Sequence, residues 1–285
     1  MIRGRAVGAF LHAAATVPAR WNTYRPIFTE FSENKYEGAV WANGFANSWL
    51  SAANIKFKDI DKKAIGPFSH YVRFVAAVDS ELDRRGAQSV GNILKSEKVR
   101  QIRRDFFESA KQMDERRQQQ LKRTFTESSK RMIAAVKERE GGLKGFDESV
   151  AFRIKTSGEM SRAMAAVMNV AHDIPKKDAE KIERAFENMG MALQVDDDLY
   201  DLAQDRNERT KENVIYQMLR HNPDELEKVG KALEKSPKMN FNRFNKIAPR
   251  TAMQAACLQR KYLDAIGGDK ELEYMRNFAE FFELR

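Results

Sequence analysis

The chain has 285 residues, 42% hydrophobic and 32% charged, with a formal net charge of +9. That much apolar side chain supports a sizeable core and excludes a disordered tail. One cysteine, Cys257, excludes an intrachain disulfide framework and a multi-cysteine metal site, and suits a reducing, cytoplasmic compartment.

In chain order, Arg3 and Arg5 precede a short apolar run from Ala6 to Val17, like the front of a signal peptide. Gly8 and His12 interrupt that run, so it is read as part of the folded chain. No stretch approaches the ~20 apolar residues of a spanning helix, and at most a peripheral membrane contact is expected. No proline occurs from Phe68 to Ile174. Val99, Ile102, Phe106, Ala110 and Met113 form a helical stripe there, and Leu121, Phe125, Met132 and Val136 continue it. Arg116, Arg117, Lys122 and Arg123 lie between, so long helices with one buried and one solvated face are predicted. Gly141, Gly142 and Gly145 end that stretch. A helix pair is predicted over 147–172 and 176–206, split at Asp173-Ile174-Pro175. His221-Asn222-Pro223 marks a turn, with Asp224 and Glu225 in the first turn of the next helix. Further helices are predicted over 239–267 and 270–283. No strand alternation is sustained, and no repeat or linker divides the chain. The expectation is a single all-α domain over 1–285, with about ten or more helices.

Two acidic clusters interrupt apolar helical sequence. In Val78-Asp79-Ser80-Glu81-Leu82-Asp83-Arg84-Arg85, Asp79 and Asp83 share a helix face. In Gln194-Val195-Asp196-Asp197-Asp198-Leu199-Tyr200-Asp201, continued to Asp205, the residues Asp197, Asp201 and Asp205 form an i, i+4, i+8 row, with Asp198 beside it. Like charges four apart destabilise a helix, and aspartate is a poor helix former. One reading is a solvated acidic face. The other is compensation by hard divalent cations, which take carboxylate and phosphate oxygens. Two such helices facing one cavity would clamp cations around a diphosphate.

These residues resemble the class I isoprenoid synthases, the all-α enzymes that ionise prenyl diphosphates. Asp79-Ser80-Glu81-Leu82-Asp83 followed by Arg84-Arg85-Gly86 is similar to the DDxxD first motif of trans-prenyltransferases. Gln194 through Asp201 fits their QxxDDxxD second motif, and Lys155-Thr156 their intervening Lys-Thr pair. Squalene and phytoene synthases are similar too, through Asp79 with Asp83 and Ala192-Leu193-Gln194 with Asp201 and Asp205. The chain departs at Ser80, which stands where the first motif has a second aspartate. It also lacks the upstream Gly-Lys-Arg segment that elongating enzymes use for isopentenyl diphosphate, and the Asn-Ser-Glu metal motif of terpene cyclases.

The resemblance implies a bundle around a central apolar cavity and a requirement for two or three Mg²⁺ ions. It implies Asp79, Asp83, Asp197, Asp198 and Asp201 as catalytic metal ligands, with Asp205 a further ligand. It implies Arg84, Arg85, Lys155, Thr156, Gln194 and Lys211 as contacts to an allylic prenyl diphosphate. Phe74, Phe152, Met160, Met164 and Met191 are candidates for the cavity wall. Transfer of the cation to a second prenyl substrate is favoured slightly over cyclisation on its own chain. An inactive partner subunit of the same fold and a basic nucleic-acid-binding protein are the alternatives. Interleaved acidic residues such as Asp105 and Glu108 argue against nucleic acid as a partner. A homodimer is left open. His12, His70, His172 and His221 are scattered and suggest no metal cluster.

Overall fold

A computed structural model describes residues 9–16, 35–85, 90–139, 143, 145–208 and 212–284; the side chains of 35–42, 79–85, 90, 207 and 208 fall outside that description. Every regular element among the described residues is a helix. No helix there is long and apolar enough to cross a membrane. The elements are α1 (9–16), α2 (Lys35–Ala52), α3 (Lys62–Arg85), α4 (Val90–Lys95), α5 (Glu97–Ala110), α6 (Glu115–Arg139) and α7 (Phe146–Arg153). A π-helical turn, Ile154–Gly158, joins α7 to α8 (Glu159–Ala171). Then come α9 (Lys176–Tyr200), α10 (Leu202–Glu208), α11 (Val214–Arg220), α12 (Pro223–Lys235), α13 (Phe241–Ile247), α14 (Pro249–Ala265) and α15 (Glu273–Glu280).

The stripe read from the sequence is buried: Val99, Ile102, Phe106, Ala110 and Met113, then Leu121, Phe125 and Val136. The Phe125 ring meets Phe106 at 4.5 Å and Phe74 at 4.7 Å between centroids, fastening α6 to α5 and α3. Between α5 and α6 the helical path breaks without glycine or proline. Asp114 makes that break, accepting the Arg117 amide at 2.9 Å as an N-cap does. The 239–267 stretch also divides, because Pro249 has no N–H to extend α13 and opens α14 instead.

Helix α8 is the axis, with α3, α6 and α9 all packed on it. Its sequence explains this. Ala163, Ala165, Ala166, Val167 and Ala171 are small or slender and buried almost all round. A helix apolar on every side belongs in a core. The crossing with α9 is closest at Gly190. A Cβ there would stand 2.2 Å from Ser161 Oγ and 2.9 Å from the Ser157 carbonyl.

The apolar core has two parts. The larger runs from α1 to α9 and the C-terminal helices, and includes Met191, Ala192 and Leu193. The smaller gathers Val195, Leu199 and Leu202 with residues of α11 to α14. Helix α9 therefore changes cores at Gln194 to Asp198. In the smaller part, buried Glu225 accepts the amides of Arg250 and Thr251 at 3.0 Å each and the Thr251 hydroxyl at 2.7 Å. A carboxylate thus caps the N-terminus of α14.

His172 ends α8 against the Trp49 ring, 4.7 Å between centroids. Its Nδ1 donates to the Met168 carbonyl at 3.0 Å, and Nε2 accepts the Asp61 amide at 3.3 Å. Only neutral imidazole satisfies both. Burial lowers its pKa from the ordinary 6.5. The folded chain then binds this proton less tightly than the unfolded chain. Stability is full above pH 6.5 and falls as the pH drops below it. The expected result is a thermal midpoint that declines on acidification through this range, with a shallower decline in His172→Gln.

Candidate active site

After Leu193 the apolar face of α9 turns to the smaller core, and the face left over carries the acidic residues. Helix α9 ends at Asp201, and α10 resumes at Leu202. The backbone ladder spans this junction: Asp201 N–H donates to the Asp197 carbonyl at 2.9 Å, and Asp205 N–H to that of Asp201 at 3.0 Å. The i, i+4, i+8 register read from the sequence therefore survives the bend.

The carboxylates divide into an open row and a buried strut. Asp197 reaches solvent, and Asp201 and Asp205 are half-buried. Asp197 is nonetheless surrounded by protein atoms on its other sides. Burial, and then the Asp201 carboxylate, push its pKa up to about 6, against the pull of Arg153 and Gln194. Asp196 is also pushed up to about 6, by burial and then by Asp197. Asp205 accepts the side-chain amide of Asn213 at 2.7 Å.

Asp198 is different. It is 1% exposed. Its Oδ1 accepts from the Arg153 guanidinium at 2.6 Å and the Gln194 amide at 2.8 Å. Its Oδ2 accepts the Val214 amide at 2.7 Å, at the start of α11. Burial raises its pKa to about 6, against the pull of Arg153, the Val214 amide and Gln194. Burial also works against the Arg153 charge, but the carboxylates of Asp198, Asp197 and Asp205 outweigh it and raise the Arg153 pKa.

Gln194 links the two kinds. Its amide also donates to Asp197 Oδ2 at 3.1 Å, and its carbonyl accepts the Ser157 hydroxyl at 2.5 Å. Ser157 lies in the π turn, a local widening often found at functional sites. Lys155 and Thr156 lie in the same turn. Thr156 donates to the Phe152 carbonyl at 3.0 Å. Lys155 pairs with Glu138 at 2.5 Å, both exposed.

Asp79, Asp83, Arg84 and Arg85 occupy the last two turns of α3, with side chains outside the described residues. Lys211 lies outside them entirely. Of the wall candidates, Phe74, Phe152, Met164 and Met191 are buried and Met160 is half-buried. Charged groups share this interior. Arg162 holds Glu159 through two nitrogens at 2.9 Å and Glu183 at 2.5 Å, and Arg131 reaches Glu159 at 2.7 Å. Burial opposes the Glu159 charge, but Arg162 and Arg131 lower its pKa overall; burial keeps that of Glu183 raised. Among the described residues, no three ligating side chains converge closely enough to hold a metal ion by themselves.

Arg153 and Asn213 were not singled out in the sequence. Asn213 was findable, since it caps α11 by accepting the Tyr216 amide at 2.8 Å just before the apolar Val214-Ile215. Arg153 signals itself only as a lone basic residue between Phe152 and Ile154.

No family model and no curated protein matches the sequence. Solved structures do match the fold. One is a geranylgeranyl pyrophosphate synthetase from the archaeon Geoglobus acetivorans, with a TM-score of 0.57 and 16% identity, covering 98% of this chain and 99% of that one. The chain has the class I isoprenoid synthase fold. A polyprenyl synthase from Caulobacter crescentus CB15, solved with calcium and isoprenyl diphosphate, matches this isoprenoid synthase fold at a TM-score of 0.51 and 15% identity, with 98% and 99% coverage. The all-helical architecture expected from the helical periodicity of the sequence is thus the one observed among the described residues.

Proposed function

We propose that the chain ionises an allylic prenyl diphosphate with the help of Mg²⁺ and passes the prenyl group to a second prenyl substrate. The observation that carries this reading is the open row of Asp197, Asp201 and Asp205, braced from behind by Gln194 and Asn213. The donor set fits a hard cation: all are carboxylate oxygens, and Asp197 bears a mutual repulsion that a cation relieves. Magnesium is commonly held by one or two carboxylates together with substrate phosphates, so a complete protein cage is not required.

In this reading Asp197, Asp201 and Asp205 hold cations from one side, and Asp79 and Asp83 from α3. Bound there, Mg²⁺ supplies Lewis-acid stabilisation of the charge that develops on the leaving diphosphate. Asp198, enclosed by donors, braces the row. Arg84, Arg85 and Lys211 add positive charge for the diphosphate. Lys155 joins them, because an exposed pair such as Lys155–Glu138 is worth only about 0–1 kcal/mol and yields readily. Thr156 lies in the same turn, and Gln194 meets that turn from α9 through Ser157. Phe74, Phe152, Met160, Met164 and Met191 keep water from the allylic cation.

The test is diphosphate release from C10, C15 and C20 allylic diphosphates with Mg²⁺, each with and without isopentenyl diphosphate, and with extracts weighed by mass spectrometry. A lengthened or joined product is expected. A product of unchanged carbon number replaces transfer with cyclisation or hydrolysis. No release in any combination removes the enzymatic reading.

A further inference from the structure

We propose that Arg153 is a positioning residue for the acidic row, acting through Asp198; this rests on the functional reading above. Asp198 is the point where three helices meet. Arg153 reaches it from α7, Gln194 from its own helix, and the Val214 amide from α11. The main-chain carbonyl of Asp198 also accepts the Asn213 amide at 2.6 Å.

Two of these partners extend to the open row. Gln194 bonds Asp198 and Asp197 with the same nitrogen. Asn213 bonds the Asp198 carbonyl and the Asp205 carboxylate with the same nitrogen. A shift of Asp198 therefore moves a support under each end of the row. Among the described residues, Arg153 supplies the cationic side chain that holds Asp198 in place.

The geometry favours positioning over plain stability. A guanidinium optimised for a buried pair grips a carboxylate with two parallel bonds. Arg153 makes one bond to Asp198, and its buried Nε has no hydrogen-bond partner. An unmade buried donor costs about 1–3 kcal/mol. The arrangement tolerates that cost and leaves Asp198 Oδ2 to the Val214 amide and its carbonyl to Asn213.

The full chain should be titrated with Mn²⁺ in the presence of inorganic diphosphate, followed by electron paramagnetic resonance, with urea unfolding in parallel. Partners one step behind metal ligands typically carry about 10–100-fold in metal affinity, and Arg153→Met should lose that much. Arg153→Lys should restore most of it, because only one charged bond is used. The double variant Arg153→Met, Asp198→Asn removes both buried charges while leaving an oxygen to accept the Val214 amide, so no buried charge is stranded. It should unfold at a urea midpoint near wild type and still bind Mn²⁺ poorly. Wild-type affinity in both Met variants overturns the inference alone. A wild-type chain that binds no Mn²⁺ with diphosphate overturns the functional reading and this inference with it.

Discussion

Asp197→Asn should cut diphosphate release by about three orders of magnitude without weakening the unligated fold. The two effects have one cause. Asp197 is the member of the row most open to solvent, yet burial and Asp201 raise its carboxyl from 3.8 to about 6. A charged group held at such a site is poised for a cation. Removing its charge removes contact to the ion that steadies the leaving group, worth several kcal/mol. At about 1.4 kcal/mol per factor of ten, that is roughly a thousandfold.

The sign for stability is opposite. A carboxyl whose folded pKa is raised stabilises the fold fully below its unfolded value, and that benefit is lost as pH rises through the folded value. Here the loss falls between about pH 4 and 6. The asparagine side chain keeps the shape and an oxygen for Gln194, and carries no charge. Its thermal midpoint should exceed wild type above about pH 6 and converge with it below about pH 4. A variant that loses activity together with its fold would show Asp197 to be structural.

Arg162→Met should cost about 3–5 kcal/mol in urea unfolding, the penalty for stranding buried partners of an ion pair. Arg162 is 22% exposed, and its partners Glu159 and Glu183 are 9% and 21% exposed. Among the described residues, Glu183 then keeps Asn169 at 3.4 Å as its side-chain donor. Glu159 keeps Arg131. Combining Arg162→Met with Glu159→Gln and Glu183→Gln removes the stranded charges and should recover most of the loss. A single variant within 1 kcal/mol of wild type, on the scale of ordinary surface changes, would refute this view of the cluster.

These two predictions mark where sequence reading succeeded and where it did not. The α5 and α6 stripes were legible because one-sided burial leaves a 3.6-residue period, and the Asp197–Asp201–Asp205 row because the backbone ladder keeps its register. Arg162 and Glu183 were not legible. They stand 21 positions apart and pair across two helices, so neither leaves a local pattern. The π turn was hidden for a related reason: no local pattern in Ile154 to Gly158 marks it, and the Gln194 that Ser157 bonds lies 37 positions on. Asp198 could not be told from Asp197 by type. Helix rotation decides between them, turning Asp197 toward solvent and Asp198 toward Arg153.

The bond from Asn213 to the Asp198 carbonyl closes the chain between two residues 15 positions apart in sequence. Both ends are tied at the base, within the framework that braces the row. The length of the intervening chain is therefore uncoupled from the spacing of Asp197, Asp198 and Asn213. A shift of Asn213, by contrast, would reach the Asp198 carbonyl and the Asp205 carboxylate together.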